Sequence, residues 1–343
     1  MKKLLYTTAI AGLAMTYATV SSAETKISGN LGLSYFMSSD DYATVASRTS
    51  LNGFGKESQI NIANSGELSN GMGYAAGFSF EFDGADAQAE GQTAENVYID
   101  FKAGDTTISV GADHFQNTDK HLTNLVGFGY IGADGASQDA ASIYPTSGAT
   151  NYGSYGVGLL QKTEIGSFGI NYTPNKTSSL AGNDIGNALT KAKVESTAKA
   201  ATEINFVGNL GVEGLNVIAG TLMNKKDNGK TRDGDGHRVA VSYTAGAVTV
   251  AVDTAESSDG TNEFTGKSVG VAFAASDALS IGVTLAEADS TASSSKDEET
   301  KMIAIGYNLG PVSVQAQYKD VENLGGTNGN DGTLFGVYLG TKF

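Results

Sequence analysis

The residues of this chain that could take part in chemistry are few and scattered. Its three histidines are His114, His121 and His237, and the spacing of serines and aspartates around them does not predict a hydrolytic triad. His114 and His121 share one polar stretch, but the chain has no cysteine and no helical pattern that would align these two residues on a zinc ion. We therefore expect solvated histidines and a protein that is not an enzyme.

Two short motifs raise the question of a bound ligand. The stretch from Gly127 to Gly132 has the letters G-x-G-x-x-G of a dinucleotide site, yet it sits in a long connection and no amphipathic helix follows it. Asp227, Asp233 and Asp235 form a carboxylate cluster that could bind Ca²⁺, although it lacks the twelve-residue loop ending in glutamate. We expect no cofactor and keep a bound Ca²⁺ as the alternative.

The elements that would have to position such residues are strands. Apolar and polar residues alternate along most of the chain, as in 279–285, where every second residue is large and apolar. A period of two places the two sets on opposite faces of a strand, whereas a helical period would mix them. Sixteen such runs are predicted, at 24–36, 56–64, 71–83, 94–103, 105–114, 152–162, 165–173, 200–209, 213–223, 236–245, 247–255, 265–275, 278–287, 299–309, 311–320 and 333–343.

The connections between these runs alternate between short and long. Short ones such as 103–105 and 309–311 alternate with long ones rich in Asp, Asn, Ser, Thr and Gly, of which 114–151 is the longest. An up-and-down barrel with tight turns at one rim and long loops at the other produces this order. The chain is therefore predicted to be all-β, with one closed antiparallel barrel over 24–343.

The N-terminus and the overall charge restrict the location and the partners. Lys2 and Lys3, an apolar stretch and the small residues Ser21 to Ala23 predict a cleaved signal peptide at 1–23. The rest of the chain has 20 basic and 37 acidic residues, a net charge of −17, which argues against nucleic acid as a partner. Because there is no cysteine, closure of the sheet rather than disulfides must hold the exported chain together.

The size of the predicted barrel decides which face of each strand meets water. An interior surrounded by sixteen strands is too wide for side chains to fill, so the polar faces would line water and the apolar faces would point outward. Lipid is the solvent that such an apolar band requires, and closure removes the unpaired strand edges that lipid would not tolerate. We expect a transmembrane barrel in the outer membrane of a gram-negative bacterium.

The mature start ETKISGNLGLSYF, the sixteen-strand pattern, the long third loop and the terminal Phe343 resemble the general porins, in their alphaproteobacterial, Rhodobacter-type branch. This resemblance implies a homotrimer embedded in outer-membrane lipids, in which each barrel passes small hydrophilic solutes and ions. It also implies that the barrel-assembly machinery reads alternate apolar residues of the last strand, here Phe335, Val337, Leu339 and Phe343. Thr341 departs from the family pattern, which has an aromatic residue at that position.

The third loop, about 115–151, is predicted to fold into the barrel and narrow the pore. It carries many apolar residues, which a loop lying in bulk water would not need. Together with inward positions on the second to fifth strands, the residues expected to line the constriction are Glu81, Asp100, Lys102, Asp113, Asp119, Asp134 and Asp139. Because all but Lys102 are acidic, a general diffusion channel with a weak preference for cations is predicted.

Two other functions stay open at this point. A substrate-selective channel of similar build would need a continuous row of aromatic residues along the lumen, for which Tyr98 is one inward candidate. A structural or adhesive barrel would have a blocked lumen. The conductance of the protein in a planar bilayer separates these functions from a general diffusion channel.

Overall fold

The computed structural model describes residues 21–38, 53–81, 93–112, 114–116, 118, 122–126, 156–174, 200–224, 234–258, 262–291 and 295–343. Within these ranges the chain forms β1 (Ser21–Ser38), β2 (Gly53–Glu67), β3 (Gly73–Glu81), β4 (Thr93–Ala103), β5 (Thr106–Gly111), β6 (Gly156–Thr163), β7 (Gly166–Thr173), β8 (Ala201–Gly208), β9 (Leu215–Asn224), β10 (Gly234–Ala245), β11 (Val248–Ser258), β12 (Glu263–Ala274), β13 (Leu279–Ser290), β14 (Glu298–Asn308), β15 (Val312–Glu322) and β16 (Gly332–Lys342). A 3-10 helix, Leu324–Gly326, precedes β16. No helix in the described part of the chain is long and apolar enough to cross a membrane.

All strands belong to one closed antiparallel sheet. Each strand pairs with its neighbours in the chain, and β1 closes the barrel by pairing with β16, with Gly32 opposite Gly340. The C-terminal residue takes part in this closure, because Gly29 and Phe343 exchange backbone hydrogen bonds of 2.9 and 3.0 Å. The predicted sixteen-stranded antiparallel barrel is confirmed.

The connections confirm the predicted difference between the two rims. The connections at the rim where β1 begins are mostly short and span 68–72, 104–105, 164–165, 209–214, 246–247, 275–278 and 309–311. The connections at the opposite rim are mostly long and span 39–52, 82–92, 112–155, 174–200, 225–233, 259–262, 291–297 and 323–331. The connection from β11 to β12 was predicted over 255–264 and is only four residues long, because both strands extend further than their apolar alternation. Gly104 and Gly246 hold positive φ angles of 57° and 59° in two of the tight turns, a backbone conformation that other residues rarely adopt.

The two faces of the sheet differ as the alternation predicted. Large apolar side chains on the outward face are about half exposed, as for Val250 at 44%, Val283 at 46% and Ile303 at 48%. Phe335, Leu339 and Phe343 belong to the same outward band, and Val337 shares their face. A shift of one residue in the pairing would invert every side chain, so these exposures establish the register.

The outward apolar band ends before the strands do. Towards the rim with the long connections, β11 to β15 carry outward charged side chains instead: Glu256, Lys267, Glu287, Asp289, Glu299, Lys301, Asp320 and Glu322. We call this row the charged rim. One ion pair within it joins the Lys301 ammonium to the Glu322 carboxylate at 3.0 Å.

The N-terminal end of β1 overlaps the predicted signal peptide. Residues 1–20 lie outside the described ranges, and the strand begins at Ser21, whose Cα partner on β2 is Glu67. Removal of 1–23 would therefore leave almost all of β1 intact. Cleavage at this position stays a prediction.

Candidate functional site

The chain leaves the barrel wall after β5 and continues along the inner surface of the barrel. The described parts of this stretch, 114–116, 118 and 122–126, contact inward side chains of successive strands, and we call them the inner segment. At its beginning the carbonyl oxygen of Gln116 accepts hydrogen bonds from Asn171 on β7 and Asn205 on β8, at 2.5 and 2.7 Å. The Gln116 side-chain amide donates to Asn205 Oδ1 at 2.8 Å.

Arg238 holds the middle of the inner segment against the wall. This residue is 1% exposed on the inward face of β10, and its Nη1 donates to the carbonyl oxygen of Thr118 at 3.0 Å. Its Nε donates to Asp253 Oδ1 at 3.1 Å, and its Nη2 donates to the second oxygen of the same carboxylate. The Thr118 hydroxyl donates to the buried Glu203 carboxylate at 3.2 Å. An arginine held by both oxygens of one carboxylate is a rigid anchor.

The end of the inner segment crosses β12 to β15. The hydroxyls of Thr123 and Ser268 lie 2.7 Å apart, and Thr284 donates to the Thr123 carbonyl oxygen at 2.8 Å. Gln315 Nε2 donates to the carbonyl oxygen of Val126 at 3.0 Å. Ser268 also lies in Gly266–Gly270, which has the letters G-x-S-x-G of a hydrolase nucleophile turn. These residues lie inside strand β12, however, and the Ser268 hydroxyl is hydrogen-bonded to Thr123 of the inner segment.

Small residues of the wall make room for the inner segment. A side chain at Gly282 would approach Val126 Cγ2 to 2.9 Å, one at Gly220 would approach Thr118 Cγ2 to 2.6 Å, and one at Gly270 would meet the Thr123 carbonyl. Leu122 packs against Ile218, Ala240 and Ala251, which form a small apolar cluster on the inner wall. The described residues of the third loop thus lie against the inner wall, and the folding of the whole loop into the barrel stays a prediction.

The inner segment begins at His114, which contacts β4. The Tyr98 ring lies beside Gly77 of β3, where a side chain would approach Tyr98 Cε1 to 2.8 Å and the hydroxyl oxygen to 2.9 Å. The imidazole of His114 stacks on Tyr98 at 3.6 Å between ring centroids and 4° between planes. His114 Nε2 lies 3.1 and 3.3 Å from the two carboxylate oxygens of Asp100, and Ser109 donates to that carboxylate at 2.7 Å.

This arrangement differs from the expected solvated histidines. The His114 side chain is only 26% exposed and has defined partners, because the inner segment returns to the wall directly after β5. His237 lies on the outward face of β10 and is exposed, and His121 lies outside the described residues. Sequence patterns did not indicate the roles of His114 and Arg238, since both depend on contacts between distant parts of the chain.

The residues expected to line the constriction divide into two groups. Glu81, Asp100 and Lys102 lie on the inward faces of β3 and β4, where Gln59 donates to Glu81 at 2.8 Å and the Lys102 ammonium lies 3.9 Å from Asp100. The residues outside the described ranges are Asp113, Asp119, Asp134 and Asp139, as well as the motif 127–132 and the carboxylates Asp227 and Asp233. The Ca²⁺ site therefore stays a prediction.

Comparisons with known proteins agree with this architecture. A family model described as Gram-negative porin matches residues 7–326. The structure resembles the anion-selective porin from Comamonas acidovorans, with a TM-score of 0.70, 13% identity, and coverage of 94% of this chain and 100% of that one. It also resembles a triple mutant of the porin from Rhodopseudomonas blastica (TM-score 0.62, 16% identity, the same coverage) and the trimer form of OmpT from Vibrio cholerae (TM-score 0.61, 12% identity, the same coverage). No curated protein sequence matches the chain.

Proposed function

Because the chain belongs to the Gram-negative porin family, its barrel is a diffusion channel of the outer membrane, and we propose that this channel prefers cations weakly. Small hydrophilic solutes and ions cross such a barrel passively, limited by its width and biased by the charges on its wall. The members of this family are channels, and we propose that this chain likewise has no enzymatic activity. Its place in the alphaproteobacterial, Rhodobacter-type branch remains a prediction.

The observation that carries the cation preference is that the inward basic side chains are buried or lie at the periplasmic rim. Besides Arg238 and Lys102 these include Lys319 on β15, which is 6% exposed, and Lys162 on β6, next to the turn at 164–165. Arg238, the arginine in the described part of the chain, is 1% exposed and bound to both oxygens of Asp253, so its charge is neutralised and shielded from the lumen. Glu81 and Asp100 lie on the inward face of the opposite wall, and Lys102 is next to the turn at 104–105, close to the periplasmic rim. Fixed charges near a constriction decide ion preference more than the net charge does.

Reversal potentials in a KCl gradient across a planar bilayer test this proposal. We expect a small preference for potassium over chloride at about 0.1 M KCl. It should fade towards about 1 M KCl, because the Debye length falls from about 10 Å to about 3 Å. The double variant Glu81→Gln and Asp100→Asn should lose the preference. Glu287→Gln is the matched control, because Glu287 lies on the outward face and should leave the reversal potential unchanged. A preference for chloride in the unmodified protein would contradict the proposal.

The same bilayer experiment separates the two alternative functions. Saturation of the current by one solute would indicate a substrate-selective channel, and silence would indicate a structural or adhesive barrel. Inward aromatic residues in the described strands are Phe36, Tyr98, Phe264 and Tyr338, on β1, β4, β12 and β16. They do not form the continuous row that a substrate-selective channel would need, so the general channel is the function we favour.

We also propose the partners that the family resemblance implies. Three copies of the chain would associate in the outer membrane, with the apolar band against lipid. The barrel-assembly machinery would recognise Phe335, Val337, Leu339 and Phe343, which share the outward face of β16. Deletion of Phe343 should therefore lower the amount of folded barrel in the outer membrane without lowering synthesis. Folded barrel at an unchanged level would exclude this recognition, and chemical cross-linking of intact cells should give a three-chain product.

A further inference from the structure

The geometry where the inner segment begins, beside β4, bears on a second determinant of ion preference. This inference rests on the proposed channel function. We propose that His114 sets the preference through the charge it adds beside Asp100, so that the channel loses its bias towards cations when His114 is protonated. Histidine is the side chain whose charge ordinarily changes between pH 5 and 8. His114 would thus be a specificity-determining residue that responds to the acidity of the surroundings.

Stacking on Tyr98, the contact with Asp100 and the backbone fix the position of the imidazole. Gly77 leaves room for the Tyr98 ring, which supports His114 by parallel stacking at 3.6 Å. The backbone of His114 continues into Phe115 and Gln116, which are themselves held on β6 to β8. An imidazole held in this way keeps its Nε2 beside the Asp100 carboxylate in both charge states.

Two further features connect this imidazole to the lumen. A carboxylate only accepts hydrogen bonds, so Nε2 carries a proton towards Asp100 and Nδ1 is the atom that gains one on acidification. The side chain is 26% exposed, and it borders a cavity of about 310 Å³ on the inner wall. Water and ions in the lumen can therefore reach it.

The charges around His114 are few, so one proton makes a large difference. The charged groups that face it from the described elements are Asp100 and Lys102 on β4, Asp105 in the following turn and Lys162 on β6. Ser109 on β5 and Asn171 on β7 are neutral neighbours in the same cavity, and Tyr98 stacks on the ring. When His114 is neutral, the pair of His114 and Asp100 carries one negative charge, which balances the positive charge of Lys102. When His114 is protonated, the pair has no net charge, and the charge of Lys102 is no longer balanced.

The size of the effect follows from Coulomb's law. An ion that passes about 10 Å from one unit charge in water changes its local concentration roughly twofold. The same charge lowers the concentration of potassium and raises that of chloride, so we expect the ratio of potassium to chloride permeability to fall by up to about fourfold between pH 7.5 and pH 5.5 at low salt. Exposed Asp and Glu side chains remain ionised over this range, so they contribute little to the change.

Three variants test the inference in the full-length protein, by reversal potentials in a KCl gradient at both pH values. His114→Gln should match the unmodified protein at pH 7.5 and keep its potassium preference at pH 5.5. Asp100→Asn should shift both values towards chloride, because it removes the negative charge at either pH. His237→Gln is the matched control, because His237 is exposed on the outward face, and it should retain the full pH response.

The outcomes separate this inference from the proposed function. A pH response that persists unchanged in His114→Gln would overturn the role of His114, even if the channel prefers potassium at pH 7.5. A chloride preference of the unmodified protein at pH 7.5 would instead contradict the proposed cation preference, while a response that depends on His114 would still support this inference. Loss of conductance in His114→Gln would indicate a structural role, against the inference.

Discussion

At the scale of single residues, the buried ion pair of Arg238 and Asp253 has a structural task on the inner wall. Both side chains are 0% exposed, and the same guanidinium also reaches the backbone of the inner segment at Thr118. A buried ion pair is a weak source of stability by itself, because desolvation offsets most of the attraction. Its value here lies in fixing the position of the inner segment against the wall.

Removal of only one partner of this pair should be costly. Arg238→Ala leaves Asp253 buried without its arginine, and we expect a loss of about 3–5 kcal/mol in the free energy of unfolding. The temperature at which the barrel unfolds in SDS, seen as a change in electrophoretic mobility, measures this loss.

A double variant separates stability from anchoring. Arg238→Met with Asp253→Leu removes both charges and should recover much of the stability, because apolar residues of similar volume often replace a buried ion pair without loss. The Thr118 carbonyl would still lack its arginine donor, so the single-channel current should be noisier than in the unmodified protein. A quiet current in the double variant would show that Arg238 does not anchor the inner segment.

At the scale of elements, periodicity predicted the strands well because each strand separates lipid from water. The alternation was weakest over 56–64, 200–209 and 213–223, and for 213–223 the structure shows the reason. On β9, Ile218 points inward into the small apolar cluster with Leu122, and Leu222 is also buried on the inward face. Val217 and Met223 point outward. An inward face that packs against another part of the protein is apolar, so the alternation disappears although the strand is present.

The path of the inner segment could not be predicted to the same extent. Its apolar residues indicated that it would leave bulk water, but they did not indicate which strands it would cross. That path depends on single small residues on separate strands, such as Gly220, Gly270 and Gly282, and on hydrogen bonds between residues more than 100 positions apart. A local pattern contains no information on contacts of this kind.

The inner segment should restrict the current. Deletion of residues 120–140 removes Thr123 and Val126, which lie on the inner wall between β12 and β15, and we expect the single-channel conductance to rise. A deletion of similar length within 175–199, the long connection between β7 and β8, is the control for a general effect of shortening a loop. Equal conductance of the unmodified protein and the 120–140 deletion would show that the segment does not limit the pore.

At the scale of the whole molecule, the outward face records where the protein sits in the membrane. The apolar band surrounds the barrel at the level of Val250, Val271 and Val283, and the charged rim begins above it at Lys267 and Glu287. Charges on the outward face are tolerated only where headgroups and water begin. In outer-membrane barrels the long connections are on the outer side and the short turns on the periplasmic side, so the charged rim marks the outer edge of the lipid.

Single arginines introduced at two heights on the outward face should show where the lipid interior ends. Val283→Arg, in the middle of the apolar band, should cost about 2–4 kcal/mol in the stability of the inserted barrel, because the arginine would face the lipid interior. Thr265→Arg, at the level of the charged rim, should cost no more than about 1 kcal/mol. Unfolding in urea from lipid vesicles measures both values. Equal losses would place the membrane boundary elsewhere.

The pairing of β1 with β16 also constrains the order of events during biogenesis. All other strand pairs join consecutive strands, but this one joins residues near the two ends of the chain, such as Asn30 and Lys342. Its hydrogen bonds cannot form before β16 has been synthesised, so the cylinder stays open while all the earlier strands are made. The chain must cross the inner membrane and the periplasm with its apolar faces unpaired. Throughout that journey it is vulnerable to aggregation, because unpaired strand edges and exposed apolar surface are the features through which partly folded chains associate.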